Sequence, residues 1–275
     1  MPALQRFLLI NPRSGDGGPS PQELELAAQQ RGVETHLLEE GDDPAELARA
    51  SGAAVLGAAG GDGSLAPVAQ VALELDAAFV CIPFGTRNHF ARDAGLDRDD
   101  PLGSLAAFED DATERRIDVG KIGDRLFLNN LSFGAYAGLV QRREHHRRRG
   151  EALAGARALV QTARHRHHLH ARVNGEDVEA RVLLVGNNRY EIDLLTLGER
   201  ERLDGGELQL WAADGWLPSA WEERVAASFT IELPSAHLEA AIDGEPLALE
   251  PPLELESLPK ALQLRLPSTP AGRDT

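Results

Sequence analysis

The stretch that decides the fold is Ala53–Ala59 (AAVLGAA), followed at once by Gly60–Ser64 (GGDGS). The run of small and apolar residues predicts a buried strand, and the glycines predict a tight turn at its end. Immediately afterwards, Leu65–Leu75 carries apolar side chains three and four residues apart, which is the spacing of one helix face. A buried strand, a glycine-rich turn and an amphipathic helix therefore follow one another, as in the βα units of α/β proteins.

The same alternation continues on both sides of this stretch. Apolar runs predict strands at Leu4–Ile10, Val33–Leu38 and Ala78–Pro83, and amphipathic spacing predicts helices at Gln22–Gln30, Pro44–Ala50 and in segments reaching about Phe108. Strands that alternate with helices form a mostly parallel sheet covered on both faces. Residues 1–114 are therefore predicted to form an α/β domain.

Beyond Arg115 the pattern becomes one of antiparallel strands. Ile117–Ile122 and Arg125–Asn130 flank Gly123-Asp124, a dipeptide that favours a hairpin turn. After a predicted helical stretch, Ala135–Thr162, short strands recur at His170–Val173, Asp177–Val185, Glu207–Ala212, Ser228–Leu233, Leu238–Ile242, Pro246–Leu249 and Leu262–Leu266. Residues 115–266 are therefore predicted to form a β-rich domain, a sandwich or partial barrel, with residues 267–275 as a mobile tail.

The composition excludes several classes of protein. The 275 residues carry a net charge of −16, which disfavours a nucleic-acid partner because such proteins present a basic face. No apolar run approaches the roughly 18 residues of a membrane-spanning helix, and the N-terminus lacks the pattern of a cleaved signal. The single cysteine, Cys81, allows no intrachain disulfide. We expect a cytoplasmic protein, and the oligomeric state is left open, a dimer included.

Positive charge is concentrated in Arg142–Arg149 (RREHHRRR) and in the later tract Arg164–His170 (RHRHHLH). Such a cluster can hold a protein transiently at the inner membrane surface, because each basic residue near anionic lipid contributes about 1 kcal/mol. The same composition is typical of a solvated helix end that pairs with surplus carboxylates. The histidines are a weaker candidate for metal binding. The sequence leaves these interpretations open.

The turn Gly60–Ser64 is the strongest candidate for chemistry. Glycines let the backbone approach a ligand closely, and the N-terminus of the following helix offers unpaired N–H groups to a phosphate. A plain strand-to-helix turn with Ser64 as N-cap explains the same residues.

Two further loops follow predicted strands in the same manner. Asn11–Gly15 (NPRSG) follows the first strand, and Pro83–Arg92 (PFGTRNHFAR) follows the fourth. In an open α/β sheet, ligands bind beyond the carboxyl ends of the strands, so three such loops can converge on one nucleotide. Ordinary turn chemistry accounts for each loop singly, and less well for all three together.

Taken together, these segments resemble the diacylglycerol kinase catalytic family, which includes sphingosine, ceramide and bacterial lipid kinases. The similarity extends to Asp118 in IDVG, to Asn129–Gly134 (NNLSFG) and to Asp243–Glu245 (DGE). A GGDG turn is shared with NAD kinases and phosphofructokinases, whereas the pattern P-x-G-T-x-N-x-F-A-R is what selects lipid kinases.

The resemblance implies an enzyme that binds ATP and Mg²⁺ through its first domain and acts on a lipid alcohol. Asp243 corresponds to the family's catalytic base, with Glu245 nearby, and Asp62 and Asp118 would hold Mg²⁺ or its waters. The implied nucleotide-binding residues are Asn11, Pro12, Arg13, Ser14, Gly15, Gly60, Gly61, Asp62, Gly63, Ser64, Gly85, Thr86 and Asn88.

The sequence departs from the family pattern at three places. His89 stands where Asp is usual, and Ser64 replaces the commoner Thr while keeping the hydroxyl. The loop Leu203–Glu207 (LDGGE) resembles a metal-linked D-D-G loop, with Gly205 in place of the second Asp. Asp204 and Glu207 are left as the candidate metal ligands of that loop.

Three functions remain in competition. The first is a kinase for diacylglycerol or a similar lipid alcohol, with Asp243 as base. The second is an NAD kinase-like enzyme with a soluble substrate, and the third is a nucleotide-binding regulatory protein without turnover. From the residues alone, Asp243-Gly244 is first of all a hairpin turn, because Asp-Gly is a strong hairpin signal. A turn of this kind can also present a base.

Overall fold

The structure, a computed structural model, describes residues 4–15, 18–85, 88–134, 169–193, 196–213, 221–234 and 238–268. It divides into two compact units: unit 1 comprises Met1–Asp118 and Lys260–Thr275, and unit 2 comprises Val119–Pro259. The cluster Arg142–Arg149, the predicted helical stretch Ala135–Thr162, Thr86 and most of the predicted tail lie outside the described residues. None of the helices in the described part of the chain has the length and apolar character needed to cross a membrane.

Unit 1 is built on a parallel sheet with the strand order β2-β1-β3-β4. Its strands and helices are β1 (Arg6–Ile10), α1 (Pro21–Gln29), β2 (Glu34–Leu37), α2 (Pro44–Ser51), β3 (Val55–Gly60), α3 (Asp62–Glu74), β4 (Ala78–Pro83), α4 (His89–Asp93), α5 (Pro101–Ser104) and a 3-10 turn (Leu105–Phe108). All side chains of β3 and β4 are buried. Strands that are covered on both faces in this way explain the nearly continuous apolar runs in the sequence.

Local sequence sets the helix boundaries of unit 1. Ser20 and Glu23 form a capping box at α1, in which the Ser20 amide donates to the Glu23 carboxylate at 2.7 Å. At α2, the Asp43 carboxylate accepts from the amides of Ala45 and Glu46, and Gly52 ends the helix in the left-handed region. The elements that carry the site therefore rest on ordinary capping chemistry.

Unit 2 contains antiparallel strands in two groups with a common core. One group is a six-stranded sheet with the order β14-β13-β10-β7-β16-β17, and the other joins β18, β15, β8 and β9, with β5 beside β18 and β6 beside β5. The strands β11 and β12 form a separate two-stranded sheet. The strands are β5 (Thr113–Ile122), β6 (Arg125–Phe127), β7 (Asn130–Gly134), β8 (Leu169–Val173), β9 (Glu176–Ala180), β10 (Val182–Asn187), β11 (Tyr190–Asp193), β12 (Thr196–Arg200), β13 (Leu208–Ala213), β14 (Trp221–Ala226), β15 (Ser228–Glu232), β16 (Leu238–Ile242), β17 (Glu245–Leu249) and β18 (Leu253–Leu266).

The core of unit 2 takes side chains from both groups of strands. Phe133 and Leu210 come from the six-stranded sheet, and Val173, Phe229 and Leu255 come from the other group. Two antiparallel sheets that share one core form a sandwich. The predicted fold class, an α/β domain with a mostly parallel sheet followed by a β-rich sandwich-like domain, is confirmed.

Several strand boundaries differ from those expected, and the run Asp177–Val185, predicted as one strand, is divided between β9 and β10. The run Arg125–Asn130 was predicted as one strand, but β6 ends at Phe127 because the next three amides bond to a side chain instead of a neighbouring strand. The last strand was expected to begin at Leu262, but β18 begins at Leu253. Its first residues pair with β15 in unit 2, and its last residues pair with β4 in unit 1, with Leu264 beside Phe79. The chain therefore returns to unit 1 at its end.

Candidate active site

The loops that follow β1 and β3 are joined at the edge of the parallel sheet. The Asn11 side-chain amide donates to the Ser64 hydroxyl at 3.0 Å, and the Asn11 backbone amide donates to the Ala59 carbonyl at 2.9 Å. The Asn11 side-chain oxygen in turn accepts from the Arg13 amide at 3.1 Å, an Asx turn that shapes the Asn-Pro-Arg segment. Asn11 is thus tied both to its own loop and to the turn after β3.

The loop after β4 lies directly against the turn after β3. A Cβ atom added to Gly85 would lie 2.5 Å from the Cα atom of Gly61, which leaves space for glycine alone. Asn88 fixes this approach, because its side chain accepts from the Gly85 amide at 3.0 Å and donates to the Gly85 carbonyl at 2.7 Å. Asn88 adopts a left-handed conformation with φ of 48°, which Asn tolerates better than most residues.

The first and third loops also touch. A Cβ atom on Gly15 would lie 2.7 Å from the ring of Phe84. By contrast, a Cβ atom on Gly61 would meet no other atom within 4 Å. The three loops predicted to share one site do meet, and the backbone at Gly61 faces open space at their meeting point.

Asp62 has a role that the sequence did not reveal. Its carboxylate accepts from the backbone amides of His89 and Phe90 at 3.2 and 3.0 Å, which are the first two residues of α4. Asp62 therefore caps α4 while standing at the start of α3. The alternative in which Ser64 caps α3 is wrong: Gly61 is the N-cap, and it makes no side-chain cap bond.

We expect Asp62→Ala to lower the free energy of unfolding by about 1 kcal/mol, within the range of 0.5–2 measured for cap residues. Two amide donors at the start of α4 lose their acceptor. Urea unfolding without nucleotide or metal measures the loss. Asp43→Ala, which removes the cap of α2, is the matched reference. If the urea midpoint of unfolding is unchanged in Asp62→Ala but lower in Asp43→Ala, Asp62 does not stabilise α4.

The other predicted metal ligands lie in varied surroundings. Asp118 is buried and accepts from the Lys260 amide at 2.7 Å. Asp204 pairs with Arg202 at 3.1 Å, and Glu207 pairs with Arg189 at 2.6 Å. The hydrogen bond that the Arg189 guanidinium donates to the Glu207 carboxylate raises the pKa of Arg189. Within the described residues, no three His, Cys, Asp or Glu side chains are grouped closely enough to hold a metal ion by themselves.

Asp243 lies in unit 2 at the tip of the β16–β17 hairpin and is 6% exposed. One carboxylate oxygen accepts from the Leu128 amide at 2.8 Å, and the other accepts from the amides of Asn129 and Asn130 at 2.8 and 3.0 Å. Three N–H donors stabilise the ionised form of a carboxylate. Asp243 and Gly244 both have positive φ, 47° and 86°, as a two-residue type I′ turn requires. Asp243 therefore makes the predicted hairpin turn and also holds a buried charge in place.

Comparisons with known proteins identify the family of this chain. Residues 5–122 match the family described as the diacylglycerol kinase catalytic domain. A protein of Pseudomonas savastanoi pv. phaseolicola named "Probable lipid kinase YegS-like" is 32% identical over 237 residues, which cover 77% of this chain and 75% of that protein. The chain belongs to the diacylglycerol kinase catalytic domain family.

Other comparisons cover more of the chain at lower identity. A protein of Enterobacter sp. strain 638 with the same printed name is 26% identical over 292 residues, 96% of each chain. The crystal structure of a diacylglycerol kinase from Bacillus anthracis strain Sterne has a TM-score of 0.67 at 18% identity, and covers 98% of this chain and 99% of its own. A second structure from that organism has a TM-score of 0.72 at 19% identity, so the likeness of these two is one of fold.

Membership of the diacylglycerol kinase family confirms the predicted resemblance and makes the protein a kinase. The part that matches the family domain, residues 5–122, contains all three converging loops. Asp243 and Glu245 lie beyond it. Glu245 is exposed at the start of β17.

Sequence reasoning missed the polar residues that surround the Leu128–Asn130 segment next to Asp243. Arg200 is 5% exposed, and its guanidinium donates to the Leu128 carbonyl at 2.6 Å and to the Asn129 side-chain oxygen at 2.9 Å. The Tyr190 hydroxyl donates to the Asn129 carbonyl at 3.1 Å. Neither residue stands in a motif. Their partners are more than 60 positions away, so no spacing along the chain could have indicated them.

Proposed function

We propose that this protein transfers the γ-phosphate of ATP to a hydroxyl group of a lipid, either diacylglycerol or a similar lipid alcohol. The observation that carries the proposal is the meeting of three strand-end loops around the open backbone at Gly61. The N-terminus of α3, where Gly61 makes no side-chain cap bond, lies at the same place. Uncapped amides at a helix N-terminus are suited to phosphate. The lipid acceptor is supported by the names of the bacterial relatives, which describe them as probable lipid kinases.

The reaction needs one proton acceptor. The acceptor hydroxyl attacks the γ-phosphorus of ATP, a new P–O bond forms, the bond to the bridging oxygen of the β-phosphate breaks, and ADP leaves. We assign the hydroxyl proton to the Asp243 carboxylate. This residue has the required charge because three backbone amides stabilise its ionised form.

Mg²⁺ is commonly held by one or two carboxylates together with substrate phosphates, and Asp62 stands at the start of α3, directly after the glycine turn. We propose Asp62 and Asp118 as these carboxylates. When bound, the ion neutralises negative charge on the phosphate oxygens. Asp204 and Glu207 fit less well, because a cation there would compete with the guanidinium groups of Arg202 and Arg189.

Incubation with γ-labelled ATP, Mg²⁺ and a total lipid extract tests the function. We expect label in a lipid-soluble product, and separation of the products identifies the lipid. A parallel incubation contains NAD in place of the lipid extract. Label on NAD alone would replace the proposal with a soluble-substrate kinase, and ATP binding without transfer to any acceptor would replace it with a regulatory role. Vesicles with and without anionic lipid show whether Arg142–Arg149 contributes to membrane contact.

A further inference from the structure

Arg200 is a buried cation at the end of β12 in unit 2, and the residue as a whole is 5% exposed. It donates to the carbonyls of Leu128 and Asn187 at 2.6 and 3.2 Å and to the Asn129 side-chain oxygen at 2.9 Å. Its guanidinium carbon lies 5.0 Å from the centre of the Tyr190 ring. Burying a guanidinium is costly unless its donors are satisfied in a fixed geometry. The position of Arg200 is therefore closely defined.

Arg200 and Asp243 bind opposite ends of the same peptide group. The carbonyl of Leu128 accepts from Arg200, and it also accepts from the Asn187 side chain at 3.1 Å. The N–H of that peptide group, which belongs to Asn129, donates to Asp243 at 2.8 Å. A cation on the carbonyl polarises the peptide group, which makes its N–H a stronger donor.

The next peptide group repeats this arrangement. The Asn129 carbonyl accepts from the Tyr190 hydroxyl at 3.1 Å and from the Asn187 amide at 2.9 Å. The N–H on the other side of this group, that of Asn130, donates to Asp243 at 3.0 Å. Two consecutive peptide groups therefore lie between Asp243 on one side and Arg200 with Tyr190 on the other. We call these two groups the peptide bridge.

We propose that Arg200 is a positioning residue that, through the peptide bridge, fixes the orientation of the Asp243 carboxylate for proton transfer. The inference rests on the proposed function of Asp243 as base. Arg200 acts through the backbone and touches no substrate, so its loss impairs the chemical step rather than the binding of ATP. Tyr190 supports the second peptide group in the same manner and contributes less, because a neutral hydroxyl polarises a carbonyl less than a guanidinium does.

Kinetics of three arginine variants test the proposal. We expect Arg200→Gln to lower kcat by about 30- to 100-fold, because small displacements of a reacting group cost about this much. KM for ATP should stay within about twofold, as no nucleotide contact is lost. Arg200→Lys keeps the charge without the planar fork and should recover about a tenfold part of the loss. Arg172→Gln, at an exposed arginine of the same unit, is the control that leaves both constants unchanged.

Arg200 would have only a structural role if kcat and the fraction of folded protein fell equally in Arg200→Gln and if Arg200→Lys recovered none of the lost kcat. An unchanged kcat would overturn the proposal outright. Because Arg200 is buried, the milder Tyr190→Phe provides a second test, since it removes only the hydroxyl that bonds the Asn129 carbonyl. We expect about a three- to tenfold lower kcat with an unchanged KM for ATP.

Amide proton resonances separate this proposal from the proposed function. A weaker hydrogen bond moves an amide proton upfield, so Tyr190→Phe should shift the Asn130 resonance upfield relative to wild type, and Arg200→Lys should shift that of Asn129. Unchanged resonances would contradict the peptide bridge, whatever the enzyme phosphorylates. If the wild type transfers phosphate to no lipid but the Asn129 and Asn130 resonances still shift in the two variants, the peptide bridge is supported and the proposed function is wrong.

Discussion

Asp243→Asn is expected to lower kcat by about 10²- to 10⁴-fold, the usual contribution of a positioned general base. An amide cannot take the proton of the acceptor hydroxyl. Its NH₂ group also cannot accept from a backbone amide, so at least one of the three donors on Asp243 loses its partner. The free energy of unfolding of the variant should therefore also be lower, by about 1–3 kcal/mol, and its melting temperature should fall accordingly.

Measurement of ATP affinity distinguishes loss of chemistry from loss of fold in that variant. We expect ATP to bind Asp243→Asn with nearly wild-type affinity at a temperature where the variant is folded. Asp177→Asn changes an exposed carboxylate in the same unit and serves as the matched control with normal turnover. Wild-type kcat in folded Asp243→Asn would remove this residue from the catalytic role and leave it as a buried anchor of the Leu128–Asn130 segment.

Gly85→Ala is expected to have the largest effect on the nucleotide site. The new methyl group would lie 2.5 Å from the Gly61 Cα atom and 2.8 Å from its nitrogen, and neither backbone atom can move alone. Forcing the two loops apart should destabilise the fold by about 1–3 kcal/mol. It should also weaken ATP binding at least about tenfold, which corresponds to 1.4 kcal/mol. Thermal unfolding and calorimetric titration with ATP measure the two effects.

Gly61→Ala is the informative partner of that variant. Its methyl group meets no protein atom within 4 Å, so the melting temperature should equal that of the wild type. ATP affinity should still fall, because the methyl group enters the space proposed for the phosphates. Normal ATP binding by both variants would mean that the nucleotide does not occupy the meeting point of the three loops.

Local signals in the sequence were enough to predict the strands β1 to β4 of unit 1 and the loops that follow them. β4 has the predicted bounds, and the glycines and asparagines of the three loops stand where tight turns and close approaches require them. The contact of Gly85 with Gly61 could not be read from the sequence, although the order of strands and turns implied that the loops would meet. Periodicity and turn chemistry are short-range properties, and this part of the site consists of short-range features at the ends of neighbouring strands.

The surroundings of the proposed base could not be predicted in the same way. The sequence predicts a hairpin turn at Asp243, and Asp243 does form one. Its carboxylate, however, accepts hydrogen bonds from amides more than 110 positions earlier in the chain. Nothing in the sequence distinguishes Arg200 from the many arginines that are expected at the surface. Only the fold brings Arg200, which lies on β12 in a two-stranded sheet with β11, next to Leu128 and Asn129 between β6 and β7.

The course of β18 has a consequence for how the molecule is made. Beside β4, the parallel sheet of unit 1 takes its next strand from the segment that contains Leu264 and Arg265. A ribosome that has released only the first 118 residues has therefore produced a sheet with one side still unpaired, and Phe79 and Val80 lack their neighbour. The parallel sheet of unit 1 is thus completed only after unit 2 has been synthesised, and a nascent chain must keep that open edge from other partners until Leu264 and Arg265 have emerged.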